Sequence, residues 1–153
     1  MDHETRFKAL NLVLPPAPKP IATYVPAVRL GDLLYVSGHG PLRPDGTLIV
    51  GRLGDDMDLE GGRAAARQVG LAMLATMLDQ LGSVNKVVRL VKVLGLVRCT
   101  PEYGDQPKVM NGFSDLMVEI FGDAGKGARS ALGTSALPGG IAVEIEAIFQ
   151  VRD

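Results

Sequence analysis

The chain has 153 residues, of which 46% are hydrophobic and 22% charged, and its formal net charge is −1. This length and balance predict one globular domain, and the absence of a basic stripe argues against a nucleic-acid-binding protein. A single cysteine excludes an intrachain disulfide and a multi-cysteine zinc site, so neither a metal nor another cofactor is expected.

The N-terminal residues predict neither a signal peptide nor a membrane span. Residues 1–14 carry charges before any apolar run, and no stretch approaches the roughly 18 apolar residues of a span. We therefore expect a cytoplasmic protein. Residues 1–20 are predicted to be an extended lead-in, because the prolines of residues 14–20 exclude a helix, and residues 21–153 to form the single domain.

The first half of the domain is predicted to contain two strands and a helix. Ile21–Leu30 and Leu33–Ser37 flank a Gly-Asp pair, which is typical of a hairpin. A helix is predicted from Arg63 to Leu81, preceded by Asp58 as N-cap and followed by a glycine that can end it.

The second half is predicted to contain a strand, a helix and two strands. Val and Leu dominate Lys86–Cys99, which indicates a central strand, and apolar residues recur with a helical period in Pro107–Phe121. Arg129–Leu137 and Ile141–Val151 are predicted strands joined at a turn of residues 138–140. This order of elements predicts an α+β fold, a mixed sheet with two helices on one face.

Four side chains could carry chemistry. Arg129 at the start of a strand could hold a carboxylate through two parallel hydrogen bonds, although spacing alone favours a surface ion pair. Glu144 and Glu146 share the polar face of the last strand and could do acid–base work, or simply face solvent. His39, in the Gly-rich run after the second strand, could be a general base or a histidine without catalytic duty.

Several short motifs follow one another along the chain: Tyr24, Leu30-Gly31, Ser37-Gly38, Asn111, Ala128-Arg129-Ser130, Ala136-Leu137-Pro138 and the strand Val143-Glu144-Ile145-Glu146-Ala147-Ile148. In this order they resemble the pattern of the RidA/YjgF family, and the resemblance covers roughly residues 20–151. Each motif is weak alone, but their order makes the combination specific.

The resemblance implies a chorismate-mutase-like α+β fold assembled as a homotrimer, with ligand pockets between subunits. It implies hydrolysis of enamine or imine intermediates, such as 2-aminoacrylate, to 2-keto acids and ammonia. Arg129 would hold the substrate carboxylate and Glu144 would orient or activate water. The residues expected to bind substrate are Tyr24, Ser37, Gly38, His39, Asn111, Ala131 and Pro138.

Three features depart from the family pattern. Ala131 stands where active deaminases usually have cysteine, and His39 stands where the archetype has glutamine. The chain is also longer, at the N-terminus and around residues 51–58, which indicates a divergent branch. If residues 138–140 form a simple hairpin, Glu144 and Arg129 of one chain lie about 15 Å apart, so we expect Arg129 to meet Glu144 of a neighbouring subunit.

Three functions are therefore compared. The first is an enamine/imine deaminase acting on a small carboxylate-bearing substrate. The second is a protein that binds a small carboxylate metabolite in the same pocket without turnover. The third is an endoribonuclease, a label that the family sometimes carries, against which the acidic balance argues.

Overall fold

A five-stranded mixed sheet forms one layer of the protein, and the computed structural model describes all residues from 1 to 153. In chain order the strands are β1 (Ala27–Leu30), β2 (Leu33–His39), β3 (Val87–Arg98), β4 (Ala128–Thr134) and β5 (Val143–Val151). Across the sheet the order is β1-β2-β5-β3-β4, and only β3 and β4 are parallel. The predicted hairpin of the first two strands is confirmed.

Two long helices, α2 (Leu59–Leu81) and α3 (Gln106–Phe121), cover one face of this sheet. The Asp58 carboxylate accepts a hydrogen bond from the Gly61 amide at 2.8 Å, and Gly82 ends α2 in the left-handed region, as predicted. The apolar positions predicted to face the core from α3 are all buried: Val109, Met110, Phe113, Leu116, Met117 and Ile120. The α+β architecture expected from the sequence is confirmed.

The alternation along β5 decides which face of the sheet is core. Residues 143, 145, 147, 149 and 151 are at most 4% exposed and pack in the hydrophobic core with α2 and α3. Glu144 and Glu146 lie on the opposite face, because successive side chains of a strand alternate between the two faces. No helix covers that second face in the single chain.

The turn Pro138–Gly140 does not join a hairpin, so that prediction is wrong. β5 lies between β2 and β3, whereas β4 lies on the outer side of β3. The unit β3–α3–β4 is a crossover, which places β4 parallel to β3 at the edge of the sheet. Residues 135–142 therefore pass the end of β3, where the Arg98 amide donates to the Ala142 carbonyl at 2.9 Å.

The N-terminal residues also differ from the prediction of an extended lead-in over residues 1–20. A helix, α1 (His3–Ala9), occupies the first part, and residues 10–20 after it form neither helix nor strand. Asp2 caps α1 by accepting from the Thr5 amide at 2.8 Å. Glu4 attaches α1 to the domain, since its amide donates to Asn85 Oδ1 at 2.9 Å and its carboxylate accepts from Ser83 Oγ at 2.9 Å.

The structure contains no helix with the length and apolar character needed to traverse a lipid bilayer.

Candidate functional site

The residues expected to form the site fall into two groups on different parts of the chain. One group lines a cavity of about 380 Å³ at the end of β2 and β5, and consists of Tyr24, Gly38, His39, Pro138 and Glu144. The other group lies where the edge strand β4 meets α3, and includes Arg129 and Asn111.

Glu144 is the charged centre of the cavity, which we call the Glu144 pocket. The lack of a side chain at Gly38 leaves room for its carboxylate, because a Cβ built on Gly38 would lie only 3.1 Å from Glu144 Oε1. A bulge in the β2–β5 pairing between Val36 and His39 brings Gly38 to this position. The glycine after Ser37 is therefore part of the pocket's shape.

Partial burial raises the pKa of the Glu144 carboxyl, and the neighbouring Glu146 carboxylate raises that pKa further. Glu144 takes part in none of the six ion pairs of the structure. A half-buried carboxyl group with a raised pKa and no cation beside it is suited to exchange a proton with a molecule bound in the pocket.

His39 borders the same pocket, but both of its ring nitrogens are occupied. Nδ1 donates to the Ser37 carbonyl at 2.6 Å, and Nε2 accepts from the Thr76 hydroxyl at 2.7 Å. The side chain is only 4% exposed, and this burial lowers its pKa, so the ring is neutral. Of the two alternatives left open by the sequence, the geometry favours a structural histidine that joins β2 to α2.

Arg129 is held by neutral acceptors on α3. Nη1 donates to Asn111 Oδ1 at 2.9 Å and to Ser114 Oγ at 3.2 Å, and Nη2 donates to the Pro107 carbonyl at 3.3 Å. A guanidinium has five N–H groups, so two of them, including that of Nε, remain without an acceptor. None of the six ion pairs involves Arg129, so the surface ion pair favoured by spacing alone is absent.

Arg129 and Glu144 do not meet within one chain. In the sheet Arg129 is level with Val93 and Glu144 with Leu96, and β3 separates their strands. Two strand spacings of about 4.8 Å and three residues of about 3.3 Å put their Cα atoms about 14 Å apart. Arg129 contacts α3, whereas Glu144 lies on the uncovered face, so one small molecule cannot touch both side chains of one chain.

Two further expected residues lie outside the Glu144 pocket. Ser37 uses its hydroxyl to bind the Val25 carbonyl at 2.6 Å, so it fixes the segment before β1 and does not line the pocket. Ala131 lies two residues after Arg129 on β4 and packs partly buried against the core. A cysteine at position 131 would therefore be near Arg129 and not near Glu144 of the same chain.

Several lining residues were not predicted from the sequence. Ser114 and the Pro107 carbonyl hold Arg129, one on each side of Asn111 along α3. Ser114 is three residues and Pro107 four residues from Asn111, and this helical spacing places them on the same side of α3. Pro18 and Pro20, which were predicted as part of the lead-in, and Ile21, which was predicted to begin a strand, line the Glu144 pocket. The structure brings together no group of three or more side chains able to hold a metal ion.

Comparison with known proteins identifies the family. A sequence model of the family described as "YjgF/chorismate mutase-like, putative endoribonuclease" matches residues 4–143. The chain belongs to this family. The resemblance to RidA/YjgF proteins seen in the sequence motifs is thereby confirmed.

Among YjgF-family relatives, Protein TCP17 of Trypanosoma cruzi is 37% identical over 148 residues, which are 96% of this chain and 92% of that protein. The crystal structure of Atu1372 from Agrobacterium tumefaciens, a protein with unknown function, has 36% identity and a TM-score of 0.88, covering 98% of this chain and 94% of the other. The YjgF gene product of E. coli has 29% identity and a TM-score of 0.62, covering 90% and 94%.

Proposed function

We propose that this YjgF-family protein hydrolyses 2-imino acids, and their enamine tautomers, to 2-keto acids and ammonia in pockets between subunits. The observation that supports this most directly is the pair of uncompensated charges. Arg129 has two free N–H groups and no anionic partner, and Glu144 has a raised pKa and no cationic partner. A substrate with a carboxylate beside a hydrolysable carbon would use both.

The proposed pocket combines Arg129 of one subunit with Glu144 of the next, in a homotrimer. The sheet face opposite the helices supports self-association, because it bears apolar side chains that nothing covers in the single chain. Val28 and Leu132 are each 53% exposed and Tyr35 is 42% exposed on that face. Closed rings of identical subunits bury such faces and repeat the same interface at each boundary.

In the proposed reaction Arg129 binds the substrate carboxylate through two parallel hydrogen bonds. The Glu144 carboxylate takes a proton from water while the water oxygen bonds to C2 and the C=N π bond breaks. Glu144 then passes this proton to the imine nitrogen, which gives the carbinolamine and restores the carboxylate. The carbinolamine then loses ammonia as its C–N bond breaks and C2 becomes a carbonyl, and Glu144 carries the hydroxyl proton to the leaving nitrogen. Water is the only other reactant. We place this reaction in the cytoplasm.

The family description includes an endoribonuclease, for which this chain offers less support. Its net charge is −1, it has no tryptophan, and aromatic residues make up 5%. RNA-binding surfaces rely on basic side chains and on aromatic stacking. RNA cleavage that survives Arg129→Ala and falls with rising salt would favour the endoribonuclease.

The test is ammonia and keto-acid release from freshly generated 2-imino acids, with mass measurement of the protein in solution. We expect a trimer that accelerates hydrolysis, and an Arg129→Ala protein that does not. Keto-acid binding without any hydrolysis would replace the proposal by a metabolite-binding function. An Arg129→Ala protein as active as the wild type would refute the role of the pocket.

A further inference from the structure

The Glu144 pocket is larger than the smallest substrate of the proposed reaction requires. Its volume is about 380 Å³. A three-carbon 2-imino acid has six non-hydrogen atoms, which would fill about 180 Å³ even if each took the roughly 30 Å³ of a water molecule. More than half of the pocket would then hold no substrate atoms, so the remaining walls indicate what else it accommodates.

One end of the pocket is apolar. A Cβ built on Gly40 would lie 3.1 Å from Ile141 Cδ1 and 3.5 Å from Leu48 Cδ2, so this glycine adjoins two aliphatic side chains. Ile21 is 91% exposed and Leu48 is 42% exposed, although both are large aliphatic residues. The pocket as a whole is lined by the apolar residues Pro18, Pro20, Ile21, Pro26, Leu42, Leu48, Pro138 and Ile141.

Charge is scarce in the lining. Glu144 and the exposed Lys19 are its only charged residues, and both nitrogens of His39 are already hydrogen-bonded within the protein. A ligand with a second carboxylate or an amine on its side chain would find few partners at the apolar end. An aliphatic or aromatic side chain would instead remove exposed apolar surface from water.

Two parts of the pocket are fixed by hydrogen bonds within the chain. Ser37 holds the segment that leads into β1, since its hydroxyl donates to the Val25 carbonyl and its amide donates to the Pro26 carbonyl at 3.0 Å. Gln68 of α2 fixes the other part by donating to the Leu42 carbonyl at 2.6 Å. Prolines at 18, 20 and 26 restrict the backbone further. A pre-formed pocket loses little free energy to ordering when it binds a ligand.

We propose that the substrates are 2-imino acids with a bulky aliphatic or aromatic side chain, which lies against Ile21, Leu48 and Ile141. This inference rests on the proposed function, because the carboxylate is taken to bind Arg129 of the neighbouring subunit and C2 to lie at Glu144. The apolar end then decides which imino acids are hydrolysed fastest. Reactions that oxidise the amine of apolar amino acids would supply such substrates.

The experiment compares imino acids generated in the assay from alanine, leucine and phenylalanine by an amino-acid oxidase. Each buried methylene is worth about fourfold in binding, so three extra carbons in a half-open pocket should raise kcat/KM about 10-fold. We expect the leucine- and phenylalanine-derived imines to exceed the alanine-derived imine by at least that factor. Equal rates, or a preference for the alanine-derived imine, would overturn this inference and leave the proposed function intact.

A matched pair of variants locates the preference. Leu48→Asp should lower the ratio of leucine- to alanine-derived kcat/KM about 10-fold, because it puts a charge at the apolar end. Val50→Asp, at an exposed position two residues along that does not line the pocket, should keep the ratio. Equal ratios in Leu48→Asp and wild type would contradict the assignment.

A second readout does not depend on turnover. If no imine were hydrolysed, the proposed function would fail, and calorimetric binding of the keto acids would still decide the size preference. Tighter binding of 4-methyl-2-oxopentanoate than of pyruvate would support the apolar end as a binding surface. Equal or weaker binding of 4-methyl-2-oxopentanoate would overturn it.

Discussion

Replacing Arg129 by alanine should abolish most of the proposed activity while leaving the fold intact. Its two free N–H groups are available to a substrate carboxylate, and each charge-assisted hydrogen bond is worth about 1.5–3 kcal/mol. Losing both costs about 3–6 kcal/mol, which corresponds to a drop in kcat/KM of roughly 10²- to 10⁴-fold. Arg129→Lys keeps the charge but offers no planar pair of donors, so an intermediate loss is expected.

The assay is steady-state hydrolysis of a 2-imino acid, with the melting temperature of each variant as the folding check. Arg67→Ala is the matched control, because Arg67 forms a surface ion pair with Glu119 on the helix layer, with N–O distances of 3.2 and 3.0 Å. Such pairs contribute about 0–1 kcal/mol to stability. Arg67 neither lines the Glu144 pocket nor takes part in the hydrogen bonds of Arg129. A folded Arg129→Ala protein with wild-type kcat/KM would refute the reasoning.

Three other predictions concern pH and packing. If Glu144 must be ionised to accept a proton, kcat/KM should fall as the pH drops through the raised pKa of Glu144. In pH–rate profiles, Glu146→Gln should move that fall to lower pH, because the Glu146 carboxylate raises the pKa of Glu144. Glu144→Gln should lower kcat/KM by roughly 10²-fold or more. Burial lowers the pKa of His39, so the folded state resists protonation of the ring. The stability that the neutral ring contributes is complete above about pH 6.5 and is lost as the pH falls through the folded-state pKa. The free energy of unfolding in urea should therefore change less between pH 7.5 and 5.5 in His39→Gln than in wild type. Gly112→Ala would force a methyl group against the backbone of α2 and should lower the free energy of unfolding by about 1–3 kcal/mol or more. Gly104→Ala is the control, because no atom lies within 4 Å of the added methyl group and little effect is expected. A Gly112→Ala protein as stable as the wild type would contradict the close packing of the two helices.

Local patterns in the sequence predicted the elements well. The alternation of apolar and polar residues in β5 and the helical period of α3 identify their buried faces directly, because burial follows side-chain geometry. Asp58 and Gly82 mark the ends of α2 for the same local reason. The sequence also contains the N-cap of α1, Asp2, with the acidic Glu4 in the first turn of the helix and the basic Lys8 in the last turn. The prolines that follow this segment nevertheless led to the prediction of an extended segment.

Pairings between distant segments could not be read from the same patterns. The turn at residues 138–140 resembles a hairpin turn, yet β5 pairs with β2 and β3, since the crossover through α3 places β4 on the outside. The separation of Arg129 and Glu144 therefore has a different cause from the hairpin geometry first considered. β3 lies between their strands, and the two side chains lie on opposite faces of the sheet. The role of His39 also depended on a distant partner, Thr76, that no local pattern reveals.

The central claim is that each pocket takes Arg129 from one subunit and Glu144 from the next, and mixing two inactive variants tests it most directly. Arg129→Ala and Glu144→Gln proteins would be unfolded together and refolded at equal concentrations. In any closed ring of randomly mixed subunits, about one quarter of the boundaries then combine an intact Arg129 with an intact Glu144 of the neighbour. The account predicts that activity returns to about one quarter of the wild-type value. Mixed oligomers with no more activity than the separate variants would contradict it.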